Sequence, residues 1–136
     1  MIYIDTNIFI YALQKHPKYG KSCSRILLDI ELGKLSVCAS MHLLAEILVT
    51  LNRINKELGT RINIQESIDA VLSYPITWFA LDFIEIKLAS KYNYPISSGD
   101  YIHIATAEIN NVNEIISADS EFDKINFIKR IDPLKY

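Results

Sequence analysis

Hydrophobic positions along the chain switch between two periods, one fitting strands and one fitting helices. Ile2-Tyr3-Ile4 is a short apolar run stopped by Asp5, which predicts a buried strand ending in a polar turn. Asn7 to Leu13 predicts a helix, and Pro17 marks its boundary with the next. Ser22 to Glu31 carries apolar residues at helical spacing (26, 27 and 30), and Gly33 stops it. Leu35 to Ala39 predicts a second strand. Ser40 is placed to cap a helix running to about Lys56, with Leu44, Ile47, Leu48, Leu51 and Ile54 on one face. Asn63 to Leu72 is a further helix, closed by Pro75. The β-branched and aromatic run Thr77 to Leu81 predicts a third strand, and Asp82 caps a helix through Lys91. Ser97-Ser98-Gly99 leads into a helix from Asp100 to Asn110. Strands at Glu114 to Ala118 and Phe127 to Ile131 flank a helical turn at Glu121 to Lys124. Strands alternating with helices predict an α/β fold with a mainly parallel sheet of four to five strands. No repeat, linker or low-complexity segment interrupts residues 1–136, so a single domain is expected.

Composition narrows the chemistry. Of 136 residues, 50% are hydrophobic and 22% charged, which excludes disorder as the main state. Fourteen basic against sixteen acidic side chains leave a net charge of −2, which argues against binding nucleic acid by bulk charge. A local phosphodiester site remains compatible with that sum, because acidic metal ligands offset a basic patch. Cys23 and Cys38 form no CxxC or Cys/His cluster, so they predict two buried thiols in a reducing compartment. The opening MIYIDTN has no basic leader, and no apolar run approaches the roughly 20 residues that span a bilayer. The expectation is a cytoplasmic protein with no membrane segment.

Ligands of open parallel sheets bind outside the carboxyl ends of the strands. Asp5 follows the first strand directly and Asp119 the fourth. Asp100 opens a helix, and Glu46 lies on the helix after the second strand, off its apolar face. Each alone is an ordinary residue: a helix cap, a first-turn acid, a solvated Glu. Together they predict a carboxylate cluster at one sheet edge. Such a cluster repels itself unless a divalent cation neutralises it or some of its acids stay protonated. Oxygen ligands without paired His or Cys favour Mg²⁺ or Mn²⁺ over zinc. A cation held so can acidify a water and stabilise charge on a phosphodiester.

Four segments carry a resemblance. Ile4-Asp5-Thr6-Asn7-Ile8-Phe9-Ile10-Tyr11 resembles the opening motif of PIN-domain nucleases, and Leu44-Ala45-Glu46-Ile47 resembles their second, looser motif. The run from Ser98-Gly99-Asp100 to Ala107 resembles the third, and Ile116-Ser117-Ala118-Asp119-Ser120-Glu121-Phe122-Asp123 the fourth. They occur in family order across nearly the whole chain, and the size is similar to that of VapC toxins. The resemblance implies a Rossmann-like α/β/α sandwich and a Mg²⁺- or Mn²⁺-dependent endoribonuclease that leaves 5′-phosphate and 3′-hydroxyl ends. It implies an acidic quartet of Asp5, Glu46, Asp100 and Asp119, with Asp5 and Asp100 as direct ligands and Asp119 and Glu46 acting through water or completing the site. Asn7 and Ser117 would support these acids by hydrogen bonds, and Asp123 is either a fifth acid or a surface or cap residue. An RNA substrate, a cognate antitoxin seated near the early helices and a homodimer are implied as partners.

The remaining features admit two readings. Lys15, Lys18, Lys21 and Arg25 recur at helical spacing and would form either a solvated flank or a phosphate-contact stripe. Arg53, Lys56 and Arg61 form a looser basic group with the same ambiguity. Tyr19, Tyr92 and Tyr94 either stack on bases or pack. His103, three residues after Asp100, either touches substrate, orients a carboxylate or is structural, and His42 is similar. Leu27, Leu28, Leu48 and Leu51 are expected in the core. A receiver domain would need adjacent acids after the first strand, and a haloacid-dehalogenase-like phosphatase would need Asp rather than Asn7. A housekeeping RNA-processing nuclease or a non-catalytic binding module remain the alternatives to a toxin.

Overall fold

Five short segments pair into one sheet in a computed structural model that describes residues 1–136. They are β1 (Ile2–Ile4), β2 (Val37–Ser40), β3 (Ile76–Phe79), β4 (Glu114–Ile116) and β5 (Lys129–Ile131). The order is β3-β2-β1-β4-β5, and every pairing is parallel. Parallel neighbours need crossovers, which the helices supply: α1 (Thr6–Leu13), α2 (Gly20–Glu31), α3 (His42–Leu58), α4 (Ile64–Ser73), α5 (Phe83–Ala89) and α6 (Ser98–Ile109). Short 3₁₀ turns follow at Ser120–Lys124 and Pro133–Lys135.

Strand side chains alternate between two cores, as the pleat requires. Ile4, Val37, Ala39 and Ile116 face a core built with α1 to α4, whereas Tyr3, Cys38 and Ile115 face one built with α6 and the 3₁₀ segment. The result is a three-layer α/β/α sandwich. Both cysteines are buried and unbridged, and burial pushes each thiol up to about 11.

Polar side chains meet the starts of three helices, those of Ser40 and Asp82 as the sequence predicts. Ser40 Oγ accepts the His42 N–H at 3.1 Å, Asn63 accepts from Glu66, and Asp82 forms a capping box with Glu85. Two expectations need correction. The buried stripe of α3 is Leu43, Ile47, Leu51 and Ile54, so Leu48 lies 49% exposed, and Leu28 on α2 is 50% exposed. Packing of α3 against the sheet and its neighbouring helices covers Leu43 and leaves Leu48 outward. The basic residues Lys15 to Arg25 do not share one helix either. Lys15, with φ 50°, breaks the chain between α1 and α2.

Candidate active site

The order of the sheet reverses beside β1, whose neighbours β2 and β4 are reached in opposite directions. A crevice opens there at the carboxyl ends of the strands. It is a cavity of about 860 Å³, and Asp5, Glu46, Asp100 and Asp119 all line it. Four acids spread over the chain from position 5 to position 119 thus meet at one edge.

Asp5 ends β1 and stands at the N-cap of α1, yet its side chain makes no capping bond. Its Oδ2 instead accepts from Asn7 Nδ2 at 2.6 Å and from Ser117 Oγ at 2.5 Å. Asn7 in turn donates to Ser117 Oγ at 3.0 Å and accepts the Ala118 N–H at 3.3 Å. One helical turn after β1 is thereby stitched to the loop after β4. Asp119, at the end of that loop, accepts the Glu121 N–H at 2.9 Å and caps the 3₁₀ turn. Asp100 lies in the first turn of α6.

Glu46 is bound most heavily. His103 Nε2 lies 2.7 Å from its Oε2, His42 Nε2 lies 3.2 Å from its Oε1, and the Thr6 hydroxyl donates to Oε2. Burial alone would push this carboxyl up, but the hydrogen bond of His103 and the close approach of His42 outweigh it and hold it well below the usual carboxylate range. Burial would likewise depress His103; the hydrogen bond and charge of Glu46, with Asp5 and Asp100, raise it instead. Asp100 has no such donors. Burial, then the charges of Asp5, Asp119 and Glu46, push it up to about 7. Burial also raises Asp5, against the pull of His103 and Ser117.

The residue types fit a hard divalent cation. Carboxylate oxygens of Asp100, Asp119 and Glu121 lie within 4.8 Å of one another. A carboxyl lifted to about 7 by burial and then by its neighbours' charge is one that a bound cation would return to the ionised state.

The structure decides between the readings left open for some residues and adds two residues that the sequence reading did not assign. Asp123 lies away from the cavity and pairs with Arg130 at 2.9 and 3.0 Å, while Glu121, not expected, joins Asp100 and Asp119. Thr6 has no role of its own in the sequence reading, although it lies in the Ile4-Asp5-Thr6-Asn7 segment that carries the resemblance. Tyr92 and Tyr94 pack with Tyr101 and Phe127 in the second core. Of the second basic group, Arg53 lines the cavity.

No curated protein matches the chain in sequence. Among solved structures it is similar to Mycobacterium tuberculosis VapC20, described as a Sarcin-Ricin loop cleaving toxin, at 16% identity and TM-score 0.70, covering 94% of this chain and 97% of that one. It is similar to VapBC-1 of nontypeable Haemophilus influenzae at 23% identity and TM-score 0.64, covering 99% and 100%. VapBC2 of Rickettsia felis, bound to a promoter DNA fragment, matches at 21% identity and TM-score 0.67, covering 96% and 98%. At these identities the likeness is one of fold. The PIN domain family profile matches residues 2–128, and by that match, with the acids in family order at the sheet edge, the chain belongs to the PIN-domain family.

Proposed function

We propose that the chain is a Mg²⁺- or Mn²⁺-dependent endoribonuclease of VapC type, the toxin of a toxin–antitoxin pair. The observation that carries this reading is the shared cavity of Asp5, Glu46, Asp100 and Asp119, with Asp100 raised to about 7 by burial and its acidic neighbours. The similar solved structures, which include toxin–antitoxin complexes, support the toxin assignment.

Asp5, Asp100 and Asp119 would hold the cation, with Glu121 beside them and Glu46 completing the site. A bound cation would supply Lewis-acid stabilisation of a phosphate oxygen and an acidified water. The chain supplies the rest. Asn7 and Ser117 fix the rotamer of Asp5, so one of its oxygens is committed inward and the carboxylate cannot swing. His103, His42 and Thr6 keep Glu46 ionised and immobile. Arg53, on the cavity wall, is placed to meet a phosphate that the acids alone would repel. Hydrolysis would break the P–O3′ bond, leaving a 5′-phosphate and a 3′-hydroxyl.

Two surfaces support the partners. An apolar hollow of about 260 Å³ between α1, α2, α3 and α4, lined by Leu27, Leu51 and Val71 among others, suits an antitoxin segment. On α5, Phe83, Ile84 and Ile86 are 71%, 52% and 47% exposed, which favours pairing with a second copy. No helix is long and apolar enough to cross a membrane, and a cytoplasmic site of action is part of this reading.

The test is cleavage of a mixed RNA pool by wild type and Asp100→Asn, purified in parallel, with Mg²⁺, Mn²⁺ or EDTA. Metal-dependent cleavage by wild type alone is expected. Equal cleavage by both would assign the activity to a contaminant. Cleavage without growth arrest on expression would favour an RNA-processing role over a toxin.

A further inference from the structure

Between Asp5 and Asp29 the chain has no acidic residue, yet it carries Lys15, Lys18, Lys21 and Arg25. In a chain of net charge −2, this is a marked segregation of charge. None of the four is ion-paired, and all are exposed. The joint between α1 and α2 gathers three of them. Gly20 lets α2 pack against α1: a Cβ there would lie 2.8 Å from the backbone carbon of Lys15 and 3.2 Å from the Tyr11 carbonyl oxygen. Around that contact lies a hollow of about 530 Å³, lined by Lys15, His16, Pro17, Gly20, Lys21 and Ser24. Arg25 lies further along α2, one turn before Asp29.

The same joint holds an aromatic stack. Tyr11 and Tyr19 are stacked with centroids 5.7 Å apart and planes at 18°, and the His16 ring lies 4.3 Å from Tyr11 and 5.5 Å from Tyr19. Lys18 Nζ sits 5.0 Å from the Tyr19 centroid. His16 Nδ1 accepts the N–H groups of Lys18 and Tyr19 at 3.1 and 3.2 Å, so its ring is fixed and a neutral ring carries its proton on Nε2. Tyr11 and Gln14 also line the acidic cavity, so the joint runs directly into the site.

We propose that this joint takes the single-stranded RNA flanking the scissile phosphate, with Lys15, Lys18 and Lys21 pairing with phosphates and the Tyr11–His16–Tyr19 stack receiving an unpaired base. The proposal rests on the ribonuclease reading and adds where the strand lies. Cations beside the acidic cavity offset the repulsion between its carboxylates and the strand, and aromatic faces take any base, but only an unpaired one. A peptide partner fits less well, because the hollow is lined by Lys15, Lys21, Ser24 and Gly20 beside His16 and Pro17, with no large aliphatic side chain to anchor an apolar residue.

The test is fluorescence anisotropy with a short labelled single-stranded RNA, using Asp100→Asn as the cleavage-silent parent. Lys15→Ala/Lys21→Ala is compared with Lys87→Ala/Lys91→Ala, which makes the same charge change on and just after α5. The first pair is expected to weaken binding about tenfold, and to shrink the slope of log affinity against log salt by about 1.4, about 0.7 per phosphate on a single strand. The second pair is expected to change little. Tyr19→Leu should weaken binding, while Tyr19→Phe, which keeps the stacking face, should not. Equal losses from both lysine pairs, or no loss from the first, would overturn the proposal while wild-type cleavage still upheld the nuclease. Competition by an acidic peptide as strong as by RNA would also overturn it. A wild type that neither binds nor cuts RNA would remove the nuclease reading and this proposal with it.

Discussion

His103 and Glu46, 57 positions apart, meet at 2.7 Å between Nε2 and Oε2. The Tyr3 hydroxyl lies 2.8 Å from the other ring nitrogen, and the Tyr3 oxygen accepts the Ser40 N–H at 2.9 Å. Because Ser40 is the donor to Tyr3, the Tyr3 proton is free for Nδ1. A neutral His103 then carries its own proton on Nε2, facing Glu46. A column from the backbone of β2 through β1 and α6 thus ends on a carboxylate of the site.

Breaking that column strands buried polar groups. His103→Ala is expected to cost about 2–4 kcal/mol, since it leaves the Tyr3 hydroxyl proton without an acceptor and removes a donor from a half-buried carboxylate. Tyr3→Phe, which leaves the Ser40 N–H unpaired, should cost about 1–3 kcal/mol. Urea unfolding of each variant checks both. The double variant Tyr3→Phe/His103→Ala should cost less than the sum of the singles, because the two residues share one network.

Stability without metal should fall with rising pH. In the fold, burial and neighbouring carboxylates push Asp100 up to about 7, above its unfolded value of about 3.9. Folded chains therefore hold more protons than unfolded ones between these values, and stability is lost as pH climbs through them. The raised values of Asp5 and His103 act in the same sense. Melting curves in EDTA should show Tm declining from pH 5 to pH 8. Millimolar Mg²⁺ should restore it at pH 8 and do little at pH 5, where the cation competes with protons. A flat EDTA profile would contradict the clustering of charge.

Asp100→Asn should separate stability from activity. The amide removes one charge from the crowded edge and keeps the shape of the side chain. Cleavage should be abolished, while the metal-free protein at pH 8 gains about 1–2 kcal/mol. Chemical denaturation in EDTA measures the gain, and loss of Mg²⁺-induced stabilisation should accompany it.

Much of this was legible in the sequence, and the limits have physical causes. Ile2-Tyr3-Ile4 before Asp5 announces a strand and its end, and the parallel α/β order brings Asp5 and Asp119, which follow strands, to the same edge as Glu46 on α3 and Asp100 on α6. The phase of α3 was not legible. Leu48 and Leu43 are equally apolar, and the sheet beneath decides which one is covered. The partnership of His103 with Tyr3 spans 100 positions and leaves no local trace. His42 does leave one, because it stands four residues before Glu46 on the same helix.

Gly20→Ala should destabilise the joint of α1 and α2. Its Cβ would meet backbone, which cannot swing aside as a flexible side chain would. The expected loss is about 1–3 kcal/mol by urea unfolding. Gly99→Ala is the matched control. Its Cβ would lie 3.5 Å from Glu46 Oε1, an ordinary contact, so the fold should hold.

Glu121 and Asp123 lie two residues apart on one 3₁₀ turn, and the turn sends them to different places. At three residues per turn, positions two apart point about 120° away from each other. Asp119 sets the phase by capping the turn through the Glu121 N–H, which leaves the Glu121 carboxylate with Asp100 and Asp119. Asp123 reaches Arg130 instead, and that hydrogen bond holds it below the usual carboxylate range. Glu121→Gln should therefore weaken Mg²⁺ binding severalfold, read by calorimetry on the cleavage-competent chain, with little change in stability. Asp123→Asn should leave Mg²⁺ affinity unchanged and cost under about 1 kcal/mol, as expected for an exposed pair. The reverse outcome, with Asp123 governing the metal, would mean that this turn rearranges when the cation binds.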